Sequence, residues 1–165
     1  HAQVEAGIYA AAIVQVADIG LQRAFDRDAP PDPQFAVAFE LASGAIISKR
    51  MKFSGHPASH CFALFNAAFP DLTDDSEQEL ELGDLLGRSV LIDVDVNDGG
   101  WPRVSSISLL EMDFEAVTPR SDQIVFSAEA MDKTLYMKLD RSIRSWVSQR
   151  IRVSGSATDA QGGKF

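Results

Sequence analysis

Cysteine is almost absent from this chain of 165 residues, and several other features that would assign the chain to a class are missing too. Cys61 is the single cysteine, so an internal disulfide is excluded and a reducing cytoplasm is expected. No apolar run approaches the ~20 residues that a transmembrane helix needs, and no secretory signal pattern opens the sequence. We therefore expect a protein without membrane association, long enough for one hydrophobic core.

Motifs of common catalytic and cofactor sites are also missing. The sequence contains no P-loop, no G-x-G-x-x-G after a strand, no H-E-x-x-H and no G-x-S-x-G. His56, His60 and Cys61 have a spacing that zinc could use, but there is no second ligand cluster, because the only other histidine is His1. We predict that the protein is not an enzyme and has no cofactor and no metal site.

One catalytic alternative comes from Asp93 and Asp95. These residues lie two apart on a predicted strand and could bind a metal ion, as in a nuclease. A nuclease usually adds a lysine and a third carboxylate on the next strand, where this chain has serines. A solvent-facing side of a sheet is the simpler interpretation of the pair.

Basic residues are outnumbered, with 15 Lys and Arg against 24 Asp and Glu and a formal net charge of −9. Taken alone, this balance argues against a nucleic-acid-binding protein. The charges are unevenly spread, however: residues 71–84 include seven acids and no base, whereas residues 133–152 include six bases and one acid. Because phosphate contacts depend on the potential within about 8–10 Å, local binding of nucleic acid stays physically feasible.

The stretch from residue 85 to residue 109 predicts two antiparallel strands after a short, glycine-capped helix at 85–87. Residues 97–100 read Asn-Asp-Gly-Gly, which tolerates positive φ and favours a tight hairpin loop. Residues 104–109 form the return strand. The alternating apolar positions of the first strand are Val90, Ile92, Val94 and Val96.

Three more strands are predicted upstream. Residues 8–20, after Gly7, favour a long strand because β-branched residues dominate them, with a helix as the alternative because of their alanines. Residues 34–41 and 45–53 alternate between apolar and polar side chains, which is typical of strands. Proline and aspartate make residues 21–33 a loop.

Helical patterns occupy two other regions. Residues 55–69 predict a helix with Pro57 in its first turn. Residues 71–84 are interpreted as an acidic linker or helix, and residues 123–127 as a short extended piece. Residues 131–153 end in a helix. Its apolar stripe is Leu139, Ile143, Trp146, Val147 and Ile151.

The hairpin region resembles a family of small tailed-phage proteins. The shared pattern is Leu-Leu-Gly and a basic residue (85–88), a strand, a glycine-containing turn, an aromatic residue (Trp101) and a strand ending Ser-x-Ser-x-Leu (106–110). Residues 143–151 are similar to the segment Leu-Pro-Glu-Trp-Ile-Gln-Glu-Lys-Ile that closes the family's domain, apart from its second and third positions.

The resemblance implies a mainly β fold, an OB-like five-stranded barrel with one internal helix and a C-terminal helix. We predict that residues 1–130 form the barrel domain, that 131–153 form a C-terminal helix packed on it, and that 154–165 form a flexible tail. The implied function is binding of single-stranded DNA in phage DNA replication or recombination in the host cytoplasm. Replication or recombination proteins are further expected partners, and a homo-oligomer stays open.

Single-strand binding needs aromatic rings for base stacking and cations for phosphates. Arg50 and Lys52 point to one face of their strand, about 7 Å apart, and Lys49 to the other. Trp101 and Arg103 also share a face. The predicted DNA-binding residues are Arg23, Phe25, Arg27, Lys49, Arg50, Lys52, Arg88, Trp101 and Arg103, with Tyr9 as a further stacking ring.

Several of these assignments have structural alternatives. Phe25 could tuck onto the core, Trp101 could fold back over the end of the barrel, and the strand cations could belong to an ordinary solvated face. The C-terminal helix could dock on the barrel, pair with another subunit or lie against DNA. The rival function is a phage structural or adaptor protein that uses the barrel to bind proteins. Net acidity favours this rival, whereas the resemblance and the basic-aromatic pairs favour DNA binding.

Overall fold

The computed structural model describes residues 4–71 and 80–152, and it shows a mainly β protein, as predicted. Six strands form one sheet, and three α-helices and a short 3₁₀ helix accompany it. The sixth strand is the extended piece predicted at residues 123–127, which joins the sheet in addition to the five strands expected, and the described chain has one α-helix more than expected. The strands are β1 (Gly7–Gln22), β2 (Asp32–Leu41), β3 (Ile46–Lys52), β4 (Ser89–Val96), β5 (Pro102–Ser108) and β6 (Ile124–Ser127). The helices are α1 (His60–Ala68), the 3₁₀ helix (Leu82–Leu85), α2 (Lys133–Lys138) and α3 (Arg141–Ser148).

The sheet is organised around β1, the longest strand, which confirms the strand interpretation of this segment over the helical one. The strand order is β3-β2-β1-β4-β5, and all of these pairs are antiparallel. On one edge, β1 pairs with β4 through residues 7–12 and then, in parallel, with β6 through residues 15–18. Two irregularities in its register with β2 allow β1 to bend, one of them next to Gly20, whose φ is 77°.

The two ends of the sheet, β3 and β5, come together without a ladder of backbone hydrogen bonds. Lys49 Nζ on β3 donates a hydrogen bond of 2.8 Å to the carbonyl oxygen of Val104 on β5. We call this line of contact the seam. The sheet is therefore strongly curved but not closed, and a side chain bridges its two ends.

The inner face of the curved sheet holds the larger core. Phe35, Phe39 and Ile92 are fully buried there, and α1 packs against β3, β4 and β5 to cover the opening. The α1 helix begins later than predicted, because Ser59 is its N-cap and accepts a hydrogen bond from Phe62 N at 3.0 Å. Pro57 thus precedes the helix and does not lie in its first turn.

The outer face of β1 and β2 carries a second core, built on small residues such as Ala17, Ala36 and Ala38. β6, α2 and α3 cover it, with Ile143 and Val147 of α3 fully buried. The C-terminal region is two short helices and not the single helix expected, because residues 139 and 140 leave helical geometry between them.

Buried polar side chains attach this C-terminal region to the sheet. Gln15 accepts from Asp140 N at 2.7 Å, and Gln22 donates to the carbonyl oxygen of Trp146 at 2.9 Å. Glu40 is 1% exposed and accepts from Arg120 N and Ser121 N at 2.8 and 3.0 Å. These side chains form hydrogen bonds with main-chain groups of the segment that covers the outer face of the sheet. Without them, those groups would be buried without partners.

Strand boundaries near the first loop also differ from the prediction. β1 continues to Gln22, and β2 begins at Asp32, so the loop shortens to residues 23–31. Pro33 pairs with Leu21 and lies within β2, although proline was expected to end the ladder. The hairpin of β4 and β5 is confirmed. Part of the acidic linker, residues 72–79, and the predicted tail, residues 154–165, lie outside the described residues.

Replacing Glu40 with Gln should reduce the free energy of unfolding by ~1–3 kcal/mol, because an amide group would face two buried N–H donors with only one acceptor. Burial alone would raise the pKa of Glu40, but hydrogen bonds from Ser121 and from the Arg120 amide, with the Arg120 charge, lower it overall. This contribution is therefore present above the ordinary glutamate pKa and is lost as the pH falls below it. Urea unfolding at neutral and acid pH measures both effects.

Glu129→Gln is the matched control, because Glu129 is an exposed carboxylate in the same chain. An equal loss of stability in both variants, or a Glu40→Gln deficit that persists unchanged at acid pH, would contradict the role assigned to Glu40.

Candidate functional site

A groove of about 1120 Å³ runs between the outer side of β3 and α3. Its floor is formed by residues 43–48, from the β2–β3 turn and the first half of β3. One wall is the hairpin turn, residues 99–102, and the other is the N-terminal part of α3 with Asp140 and Trp146. We call this feature the α3 groove. The only two tryptophans of the chain, Trp101 and Trp146, both line it.

Trp101 is presented by a tight turn that the sequence encodes locally. The side chain of Asn97 accepts hydrogen bonds from Gly99 N and Trp101 N, both at 2.9 Å. Gly100 adopts a φ of 82°, which favours glycine at this position. Trp101 is 62% exposed, so the indole is not folded back and buried over the end of the sheet.

Arg50 lies within cation–π range of two aromatic rings, one of which lines the α3 groove. Its guanidinium carbon is 5.2 Å from the centroid of Phe25 and 5.8 Å from that of Trp146. Phe25 belongs to the first loop and is 58% exposed, so it is not tucked into the core. Three distant parts of the chain therefore form one surface cluster of two rings and a cation, in the range of cation–π interactions.

Trp146 was not identified from the sequence as a site residue, because its helical spacing placed it in the apolar stripe of the C-terminal helix. In the structure, Ile143 and Val147 fill the centre of that stripe and are fully buried, whereas Trp146 lies at its edge and is half-buried. Arg141 was also missed; it is exposed and lines the α3 groove. The sequence did carry a signal for Trp146, because the apolar stripe of the predicted C-terminal helix is wider than the face that one helix buries.

Hydrogen bonds hold the α3 wall against the groove floor. Ser48 donates to Asp140 Oδ2 at 2.7 Å, which links β3 to the start of α3. Asp140 Oδ2 also accepts from Ser142 N at 3.4 Å, and Asp140 N is bound by Gln15. The width of the α3 groove is therefore set by side chains that connect three elements.

Lys49 and Arg103 lie on the two strands that adjoin at the seam. Arg103 is exposed, and its Nε donates to Asp95 Oδ1 on β4. This hydrogen bond and the charge of Asp95 raise the pKa of Arg103. The Lys49 side chain is half-buried, and burial followed by the charge of Arg103 lowers its pKa. His60, at the start of α1, has its pKa lowered by burial and by Lys49.

The remaining predicted cations are Arg23, Arg27, Lys52 and Arg88, and none of them lines the α3 groove. Arg23 and Arg27 are exposed in the first loop with Phe25, and Lys52 is exposed at the end of β3. Arg88 is at the opposite end of β4 from the hairpin turn, with its guanidinium carbon 4.5 Å from the ring centroid of Phe69. Arg88 thus does not join the α3 groove.

The ring of Tyr9 is not exposed for base stacking. It packs against the inner core, and its hydroxyl donates to the carbonyl oxygen of Glu5 at 2.7 Å.

Comparison with known proteins does not assign the chain to a group. A scan against models of protein families found no match, and a search of curated proteins found none. Within residues 4–71 and 80–152, no helix is both long and apolar enough to cross a membrane. The same described residues contain no group of three or more His, Cys, Asp and Glu side chains that could hold a metal ion.

Arg50→Gln in a Trp101→Phe background should change the emission of Trp146, which is then the only tryptophan. Loss of the guanidinium removes a cation from the indole face, and the unfolding free energy should fall by about 0.5–1 kcal/mol per lost cation–π contact. Steady-state fluorescence and urea unfolding measure the two effects.

Lys52→Gln is the control for this comparison, since it removes a charge from the same strand. Similar spectra for the Arg50→Gln and Lys52→Gln proteins would show that the packing of Arg50 on Trp146 is absent in solution.

Proposed function

We propose that the curved sheet is an OB-type barrel and that it binds single-stranded DNA in the α3 groove. Strand pairing in the order β3-β2-β1-β4-β5, with β3 and β5 adjoining at the seam, supports the barrel assignment. In OB folds the face of the second and third strands binds oligonucleotides, flanked by the loops after the first and fourth strands. Here those loops carry Phe25 and Trp101, and the α3 groove lies on β3.

The observation that carries this proposal is the clustering of rings and cations along one groove. Trp101 and Trp146 line opposite walls of the groove, and Arg50 and Phe25 lie beyond Trp146, next to the groove lining. Bases can stack on the rings in any sequence, and guanidinium groups can bind the phosphates. Serines, glycines and Arg141 supply most of the remaining polar lining, and its acid, Asp140, is already hydrogen-bonded to Ser48.

The covering helix also bears on the kind of nucleic acid that fits. Because α3 occupies the outer face of β1 and β2, the open surface is reduced to a groove with two walls. A single strand can lie along such a groove with its bases against one wall. A duplex presents its bases paired and stacked inside, so the aromatic rings would have nothing to stack on.

A role in phage DNA replication or recombination, in the host cytoplasm, follows from the sequence resemblance to small tailed-phage proteins. Replication or recombination proteins are the partners that such a role implies. Binding by stacking and phosphate contacts needs neither a cofactor nor catalysis. Under this proposal the protein is therefore not an enzyme.

A phage structural or adaptor protein is the second candidate. The net charge of −9 favours it, and so do apolar side chains that are exposed away from the α3 groove. Met112 is fully exposed, Met137 is 66% exposed and Val125 is 50% exposed. Isolated exposed apolar residues are common on protein surfaces, however, which makes this observation less specific than a groove with two indoles.

An oligothymidine of about 12 nucleotides, within the ~4–16 nucleotides that one OB fold occupies, should quench the fluorescence of both tryptophans. Trp101→Ala and Phe25→Ala should each lower the affinity by roughly 5- to 150-fold, which corresponds to ~1–3 kcal/mol per stacked base. The affinity should also fall steeply with salt. Fluorescence titration at several salt concentrations measures all three effects.

Arg50→Gln and Arg88→Gln form the matched pair, because both remove one guanidinium that lies on an aromatic ring. Only Arg50→Gln should weaken binding. Absence of binding at low salt would favour the adaptor function over the one proposed. Equal losses in the two variants would show that the DNA does not bind in the α3 groove.

A further inference from the structure

Arg120, which was not identified from the sequence, lies next to the α3 groove where β2 turns into β3. Its Nη2 donates a hydrogen bond of 2.6 Å to the carbonyl oxygen of Ala42. Gly44, two residues on, lines the groove, and a Cβ atom at Gly44 would lie 3.4 Å from the same Nη2. Arg120 does not itself line the groove, but its guanidinium adjoins a residue that does.

Arg120 and the floor of the groove lie on the same side of the sheet. Glu40 alternates with the inner residues Phe39 and Leu41 and therefore belongs to the outer face of β2. Its carboxylate accepts a hydrogen bond from Arg120 N at 2.8 Å, so the main chain of Arg120 crosses that outer face. Ile46 of β3 packs against the outer core and also lines the groove.

The guanidinium of Arg120 is exposed and can donate further hydrogen bonds. It carries five N–H groups, and the bond to Ala42 uses one of them. The only ion pair among residues 4–71 and 80–152 joins Arg103 and Asp95, so no carboxylate of these residues forms an ion pair with Arg120. Because Glu40 and Ala42 already hold this arginine in place, little ordering is needed when a phosphate binds to it.

Arg50 provides a second cation toward the opposite end of β3. A strand rises by about 3.3 Å per residue, so roughly 20 Å separate Gly44 from Arg50 along the chain. Phosphates follow one another at about 3.4 Å along each strand of a duplex, so several fit into this length. A single strand on the groove floor would therefore have one guanidinium near each end.

We propose that Arg120 is a phosphate-binding residue of the α3 groove, and that a bound single strand runs along β3 between Arg50 and the β2–β3 turn. This inference rests on the proposed function, and it adds the direction in which the strand crosses the sheet.

The test is a fluorescence titration with the oligothymidine of about 12 nucleotides at several sodium chloride concentrations. Arg120→Gln should lower the affinity by roughly five-fold or more at low salt. It should also reduce the slope of log affinity against log salt by about 0.7, the value for one phosphate contact of a single strand. Lys133→Gln is the control and should change neither quantity, because Lys133 is an exposed cation of α2 outside the groove lining.

Arg120→Lys separates the charge from the hydrogen bond to Ala42. A lysine keeps the charge and loses the planar fork, so the salt slope should stay near that of the wild type. A loss of affinity in both Arg120 variants with an unchanged salt slope would show that they only disturb the β2–β3 turn, and would overturn the inference.

The double variant Arg50→Gln/Arg120→Gln tests the direction of the strand. Two contacts so far apart should be independent, so the fold-losses of the single variants should multiply. The decrease in salt slope should be about twice that of one contact. A double variant that binds as well as Arg120→Gln alone would contradict a strand that reaches both residues.

These measurements distinguish the inference from the proposed function. If the oligothymidine binds and Arg120→Gln matches Lys133→Gln in affinity and salt slope, single-strand binding stands and the role of Arg120 is wrong. If the wild-type protein does not bind at low salt, the proposed function fails, and the path along β3 fails with it.

Discussion

The structure depends on how the outer face of β1 and β2 is covered. That face is made of small apolar residues and a few polar ones, among them Gln15, Gln22 and Glu40. Each of these three side chains is buried and binds main-chain groups of the segment from Arg120 to Trp146. An uncovered sheet would leave the apolar surface in water, and an apolar replacement of the three would leave buried amides without partners.

This attachment also creates the candidate site. The α3 helix lies at the outer edge of β3 because its start is bound to Gln15 and Ser48 and its last turns to Gln22. The same docking puts Trp146 beside Arg50, and the loop after β1 brings Phe25 within 5.2 Å of the same guanidinium carbon. A covering segment held by main-chain hydrogen bonds thus becomes one wall of the α3 groove.

Much of the fold could be predicted from local patterns. Alternation identified β2, β3 and the hairpin, and the Asn-Asp-Gly-Gly turn was evident from its backbone requirements. The break between α2 and α3 was not predicted, because it depends on Asp140, whose main chain and side chain are bound by distant residues. The start of α1 was misplaced because Pro57 fits a first turn as well as it fits the turn before a cap.

The candidate site was only partly predictable, for a related reason. Exposed rings and cations on loops and turns, such as Phe25 and Trp101, can be identified from composition. Which of them converge depends on long-range packing. Arg50 lies near two rings from separate segments of the chain, and Arg103 is hydrogen-bonded to Asp95. Arg88 lies at the far end of β4. The distances between these side chains and their partners cannot be predicted from the pattern of charges along the sequence.

The seam has a consequence for solubility. β3 and β5 are the terminal strands of the sheet, and terminal strands usually expose a row of unpaired amides and carbonyls to other molecules. Here the unpaired edge of β3 faces the unpaired edge of β5, and the Lys49 ammonium donates a hydrogen bond to the carbonyl oxygen of Val104 between them. A foreign strand that added to either edge would have to displace this lysine and bury its charge. The incomplete closure is thereby protected against edge-to-edge aggregation by the same residue that bridges it.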